Sequence, residues 1–221
     1  MSARAALFSL LALVTSAAES WGLDVQAIVR KVQARYDSTQ DFTAAVTQEM
    51  TVASLGKTIK SEGTVAFKKP GKMRWEFDES APQVIIADGS TVWLYQPKER
   101  QVIKAPFDSA FRSSTPISFL TGVGRIVEDF DVSLDTSSAG DTDQLLHLLL
   151  TPRHDSAAVG TLRLTVASAD GEIRGAEISD PMGNVSRVRF DRILRNQGLS
   201  DDRFAFQVPA GVDVISPPAA H

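Results

Sequence analysis

From Lys72 to Asp78 polar and apolar residues alternate without a break. Lys72, Arg74, Glu76 and Asp78 fall on one side of an extended chain, Met73, Trp75 and Phe77 on the other. Side chains alternate across a strand, so this pattern predicts one wet face and one aromatic face. Val65 and Phe67 join the aromatic face if the intervening turn holds an odd number of residues. Lys69-Pro70-Gly71 meets that condition, with glycine free to take the left-handed position. Lys69 therefore stands at the tip of a hairpin whose inner side is apolar. The stripe fits either a filled core or a cavity for an apolar ligand.

Upstream, Leu23 to Ser38 reads as an amphipathic helix, with Val25, Ile28, Val29, Val32 and Tyr36 as its apolar stripe. Asp24 suits the N-cap, and Leu23 with Ile28 would form the staple around it. Period-two segments follow over Phe42–Thr51 and Ile59–Phe67. Asp88-Gly89 joins Val84–Ala87 to Val92–Tyr95 as a hairpin, and the turn at Gln96–Glu99 leads into Gln101–Lys104. Phe107 to Val127 breaks the rhythm: Ser114-Thr115-Pro116 resembles a helix start, and Ile117, Leu120, Val123 and Val127 recur at helical spacing. Strands resume at Asp129–Leu134, Leu145–Leu150, Thr161–Val166, Glu172–Ser179, Val185–Leu194 and Phe204–Val208. The reading is mainly β, an antiparallel sheet of about ten or eleven strands that curls round two or three helical pieces. The first helix and the 107–127 segment are the elements available to cover its inner face.

Residues 1–18 read as an export signal rather than fold. A short positive start is followed by an apolar run, Ala5–Val14, too short to span a bilayer, and by small residues at Thr15–Ala18. That leaves residues 19–221 as a single domain. The chain has 27 acidic and 23 basic residues, which excludes nucleic acid as a partner because phosphate neutralisation needs clustered excess cations. There is no cysteine, so an exported form stands on its core alone and has no lipid anchor at an N-terminal cysteine. His147, His154 and His221 lack the spacing of a zinc site, and no nucleophile elbow or phosphate loop occurs. Pairs such as Glu128/Asp129 and Asp201/Asp202 fit solvated faces. The residues point to neither an enzyme nor a cofactor.

Five segments, in order, carry a resemblance: Phe42–Gln48; Gly63 through Lys69-Pro70 to Arg74-Trp75; Ala87-Asp88-Gly89 with Val92–Pro97; Thr115–Leu120; and Phe204–Val212. Together they resemble the periplasmic outer-membrane lipoprotein carrier family, LolA, over nearly the whole chain after residue 18. The resemblance implies an incomplete antiparallel barrel of about 11 strands with a helical lid over an apolar cavity. It implies a monomeric periplasmic carrier that takes triacylated lipoproteins from an inner-membrane ABC transporter and delivers them to a LolB-like outer-membrane acceptor. Met73, Trp75, Phe77, Trp93 and Tyr95 would line the cavity, and Phe111, Ile117, Phe119 and Leu120 would face it from the lid. Lys69 takes the place of the family's lid-latching arginine, with an ammonium in place of a planar fork. A related reading is a sensor domain of the same fold that binds lipid or lipoprotein in envelope stress signalling; phospholipid transport is another.

Overall fold

Helix α1 runs Val25–Ser38, its N-terminus capped by Asp24, whose carboxylate accepts the Gln26 N–H at 2.9 Å. Ile28, Val29 and Val32 of the apolar stripe are buried. The computed structural model describes residues 24–78, 82–108, 126–135, 144–153 and 161–216. The export signal, the Leu23 half of the staple, and the proposed lid residues Phe111, Ile117, Phe119 and Leu120 lie outside these.

Among the described residues twelve strands follow α1: β1 Asp41–Val52, β2 Lys57–Lys68, β3 Lys72–Phe77, β4 Val84–Asp88, β5 Thr91–Gln96, β6 Gln101–Pro106, β7 Phe130–Leu134, β8 Leu145–Pro152, β9 Thr161–Ala167, β10 Ile173–Ser179, β11 Val185–Arg195 and β12 Asp213–Ile215. They form one sheet in the order β12-β6-β5-β4-β3-β2-β1-β11-β10-β9-β8-β7. Two hairpin meanders, β1–β6 and β7–β11, are thus joined where β11 returns to pair with β1. The end strands β7 and β12 do not pair with each other, so the sheet is open. Each of these pairings is antiparallel except β12 with β6, which is parallel. The Lys69–Gly71 turn and the Asp88–Ser90 turn both form, with Gly71 and Gly89 at positive φ.

The C-terminal region departs from the reading of Phe204–Val208 as a strand. Asp201–Phe204 forms a 3-10 turn, opened by Ser200 accepting the Asp202 N–H, and the next few residues have no ladder partner among the described residues. This segment crosses a face of the sheet instead of extending its edge. Buried Asp41 fixes its start, accepting the N–H groups of Gln197, Gly198 and Leu199 at 2.7, 2.9 and 3.1 Å. Asp201 bridges Lys68 and Lys72 at 2.5 and 2.6 Å, and Phe204 is buried over β3 and β4.

Candidate functional site: an apolar seam beneath helix α1

Cross-strand partners share a face, so the register follows one apolar surface across the sheet. Leu148, Leu164, Ala176 and Val188 lie in one transverse row of β8–β11. Ala44, Val65, Trp75, Ile85 and Leu94 continue the same face across β1–β5. This inner face is filled by two clusters. In one, Ile28, Val29 and Val32 of α1 pack with Leu148, Leu150, Leu162, Leu164 and Val166. In the other, Val65, Phe67, Met73 and Trp75 pack with Phe107 and Phe190.

Where the clusters meet, at the last turn of α1, lies a cavity of about 80 Å³. Its apolar lining comes from Val32, Tyr36, Phe42, Phe67, Ile173, Phe190 and Ile193, and Arg35, Lys69, Glu172 and Arg195 also border it. Phe190 and Ile193 are three apart and would fall on opposite faces of a regular strand. The register shifts between Thr43/Leu194 and Ala45/Asp191, leaving one extra residue in β11, and Arg192 there has φ 52°. This bulge reverses the parity and lets both side chains reach the cavity.

Lys69 stands at the α1 side of the cavity. Lys69 Nζ donates to the main-chain oxygen of Tyr36 at 2.5 Å and lies 4.1 Å from the centre of the Tyr36 ring. The main-chain N–H of Lys69 donates to the Gln40 oxygen at 2.8 Å. A cation is favourable at a helix C-terminus, where carbonyl groups lack intrahelical partners. Burial nevertheless pulls the Lys69 pKa below its ordinary value, against the opposing field of Asp37. Burial, and then the Asp37 charge, push the Tyr36 phenol up to about 12. Buried Glu172 is held by Arg174 and Arg195 at 2.8 and 3.0 Å, so charge at this end is compensated.

Gly171, in the β9–β10 turn, sets how closely the helix sits. A Cβ there would stand 2.6 Å from the Lys31 carbonyl carbon and the Val32 nitrogen. Only a residue without a side chain permits this approach, and its φ of +72° is one glycine adopts freely.

The structure therefore distributes the expected site residues. Lys69 borders the cavity, and Met73, Trp75 and Phe77 belong to the aromatic cluster beside it. Trp93 and Tyr95 are on the other face: Trp93 pairs with Ile86, which pairs with Arg74, and Tyr95 pairs with Val84, which pairs with Glu76. Both rings lie under the C-terminal segment, 6.0 and 5.9 Å from the Phe206 ring. Tyr36, Phe42, Phe67, Phe190 and Ile193 take their place as cavity lining. Among the described residues no group of three His, Asp or Glu side chains could hold a metal ion, and no helix is long and apolar enough to cross a membrane.

Fold and site together define a class: an open antiparallel sheet that keeps an apolar interior beneath a helix. Within it, the chain belongs to the outer membrane lipoprotein carrier protein LolA family, which matches residues 37–207. The outer-membrane lipoprotein carrier protein of Dechloromonas aromatica is 30% identical over 80% of this chain and 82% of its own. That of Azotobacter vinelandii is 30% identical over 96% of this chain and 97% of its own. Among solved structures, an uncharacterized conserved protein from Thermus thermophilus shares the fold. Its TM-score is 0.53 at 14% identity, over 87% of this chain and 98% of the other.

Proposed function

We propose that this protein is a periplasmic carrier that shelters the acyl chains of triacylated lipoproteins against the inner face of its sheet. In this reading it collects them from an inner-membrane ABC transporter and yields them to a LolB-like acceptor at the outer membrane. The observation that carries the reading is the seam: an apolar interior divided into two clusters, with a cavity between them bordered by Lys69 on Tyr36. Met73, Trp75, Phe77, Phe42, Phe67 and Phe190 form its proposed lipid-facing wall. Phe111, Ile117, Phe119 and Leu120 form the proposed lid.

A cover that moves reconciles the magnitudes with this reading. The cavity of about 80 Å³ is well below the roughly 300–1,000 Å³ of ordinary ligand pockets. Three long acyl chains, at about 0.8 kcal/mol per buried CH₂, would sum to tens of kcal/mol. Non-covalent affinities saturate near roughly 18–21 kcal/mol. Cargo that displaced α1 and the lid from the same apolar wall would spend much of that free energy on opening, and the remainder would be weak enough to reverse. The test is titration with a fluorescent triacylated lipopeptide, followed by release of lipoproteins from inner-membrane vesicles. Saturable binding and the appearance of soluble carrier–lipoprotein complex support the reading; a protein that neither binds the lipopeptide nor solubilises lipoprotein overturns it.

A further inference from the structure

We propose that the indole N–H of Trp75 is a donor reserved for a carbonyl oxygen of the cargo's acyl linkage, so that the carrier reads the ester end of a chain as well as its hydrocarbon. This rests on the carrier reading above. Trp75 is only 5% exposed, and its Nε1 is buried with no hydrogen-bond partner among the described residues. Aromatic rings surround it: Phe67, Phe77 and Phe190 have centroids 6.4, 5.8 and 6.2 Å from its own. The rest of its cluster, including Val46, Val65, Met73 and Ala87, contributes hydrocarbon to the packing.

Buried donors in folded proteins are nearly always paired, since burial removes the hydrogen bond to water and leaves nothing in exchange. Phenylalanine would fill this aromatic stripe without that cost. The protein thus maintains a donor that none of the described residues uses. Indole N–H donates and never accepts, so the atom it selects is an acceptor. Each ester-linked chain brings one to the junction of hydrocarbon and glycerol. Phe67 and Phe190 flank Trp75 and also line the seam cavity, so a chain lying in the seam passes within one ring of the indole.

Two synthetic lipopeptides decide the matter, identical except that one bears two ester-linked C16 chains on glycerol and the other two ether-linked C16 chains. An ether oxygen is a far poorer acceptor than a carbonyl. Calorimetric titration of the full chain should show the diester bound roughly fivefold to tenfold more tightly, equivalent to about 1–1.4 kcal/mol. Trp75→Phe should bind both lipopeptides at the diether value per folded molecule, whatever stability the smaller ring costs. A merely structural tryptophan would leave the ester-to-ether ratio alone. Equal affinity of the unaltered protein for both lipopeptides overturns the proposal, leaves the carrier reading standing, and does not depend on the variant folding. A preference that survives in Trp75→Phe overturns it as well. Failure to bind either lipopeptide overturns this proposal, and the carrier reading with it where lipoprotein is not released from vesicles either.

Discussion

Lys69 and Tyr36 meet twice: the ammonium donates to the tyrosine's main-chain oxygen at 2.5 Å and stands 4.1 Å from the centre of its ring. A single side chain thereby ties the β2–β3 turn to the last turn of α1. Lys69→Met removes both contacts and should weaken the docking of that turn by about 1–2 kcal/mol. Hydrogen exchange at the C-terminal end of α1 should then accelerate by about 5–30-fold, and Lys69→Arg should restore much of the protection through its wider fork of donors. Unchanged exchange in Lys69→Met would show that the contact holds nothing.

Gly171→Ala tests the seating of the helix from the opposite side. The new methyl would stand 2.6 Å from α1 backbone atoms, and the residue would also keep an unfavourable positive φ. A loss of about 1–3 kcal/mol is expected, accompanied by greater binding of a dye that reports exposed apolar surface. A variant with wild-type stability and dye binding would mean that the β9–β10 turn yields freely.

The two faces of the sheet should be separable by mutation. Phe204 is buried on the outer face, where Trp93 and Tyr95 lie beside Phe206. Phe204→Ala should cost about 3–5 kcal/mol of stability yet leave the lipopeptide affinity of the folded fraction unchanged. Loss of affinity in proportion to the folded fraction fits this expectation. A lower affinity per folded molecule would place lipid contacts on the outer face.

Asp201 gives the C-terminal segment a pH dependence. Hydrogen bonds from Lys68 first, and then Lys72, hold its carboxyl down to about 2, against an ordinary 3.8. The folded chain therefore binds this proton more weakly than the unfolded chain does. The carboxylate's contribution is complete above about 3.8 and is lost as the pH falls toward 2. Limited proteolysis by pepsin should cut near residues 200–216 progressively faster across that window. Asp201→Asn should be cut faster at the upper end and show a flatter profile; an identical profile would remove Asp201 from the account.

Short-range physics made much of the fold legible. Asp24 caps α1, and the turns at Gly71 and Gly89 take the positive φ their sequences suggest. Tyr36 on the helical stripe and Phe67 opposite Met73 were readable as inward-facing. Trp93 and Tyr95, which the resemblance assigns to the cavity, lie on the other face, and alternation gave no warning because Val92 to Tyr95 is apolar on both sides. Their side follows only from the register through Ile86 to Arg74. The nearness of Phe190 to Ile193 was hidden by a bulge with no glycine to announce it. Phe204-Ala205-Phe206 alternates like a strand, and what makes it a strap is its anchorage by Asp41 and Asp201, both distant in sequence from the segment or from their partners.

The bulge at Arg192 has a mechanical consequence. It falls on the β1–β11 pairing, along which the two meanders are joined and against which the cavity lies. A wall already creased at its waist can gain width by folding further along that line, without emptying either of the oily masses on its flanks.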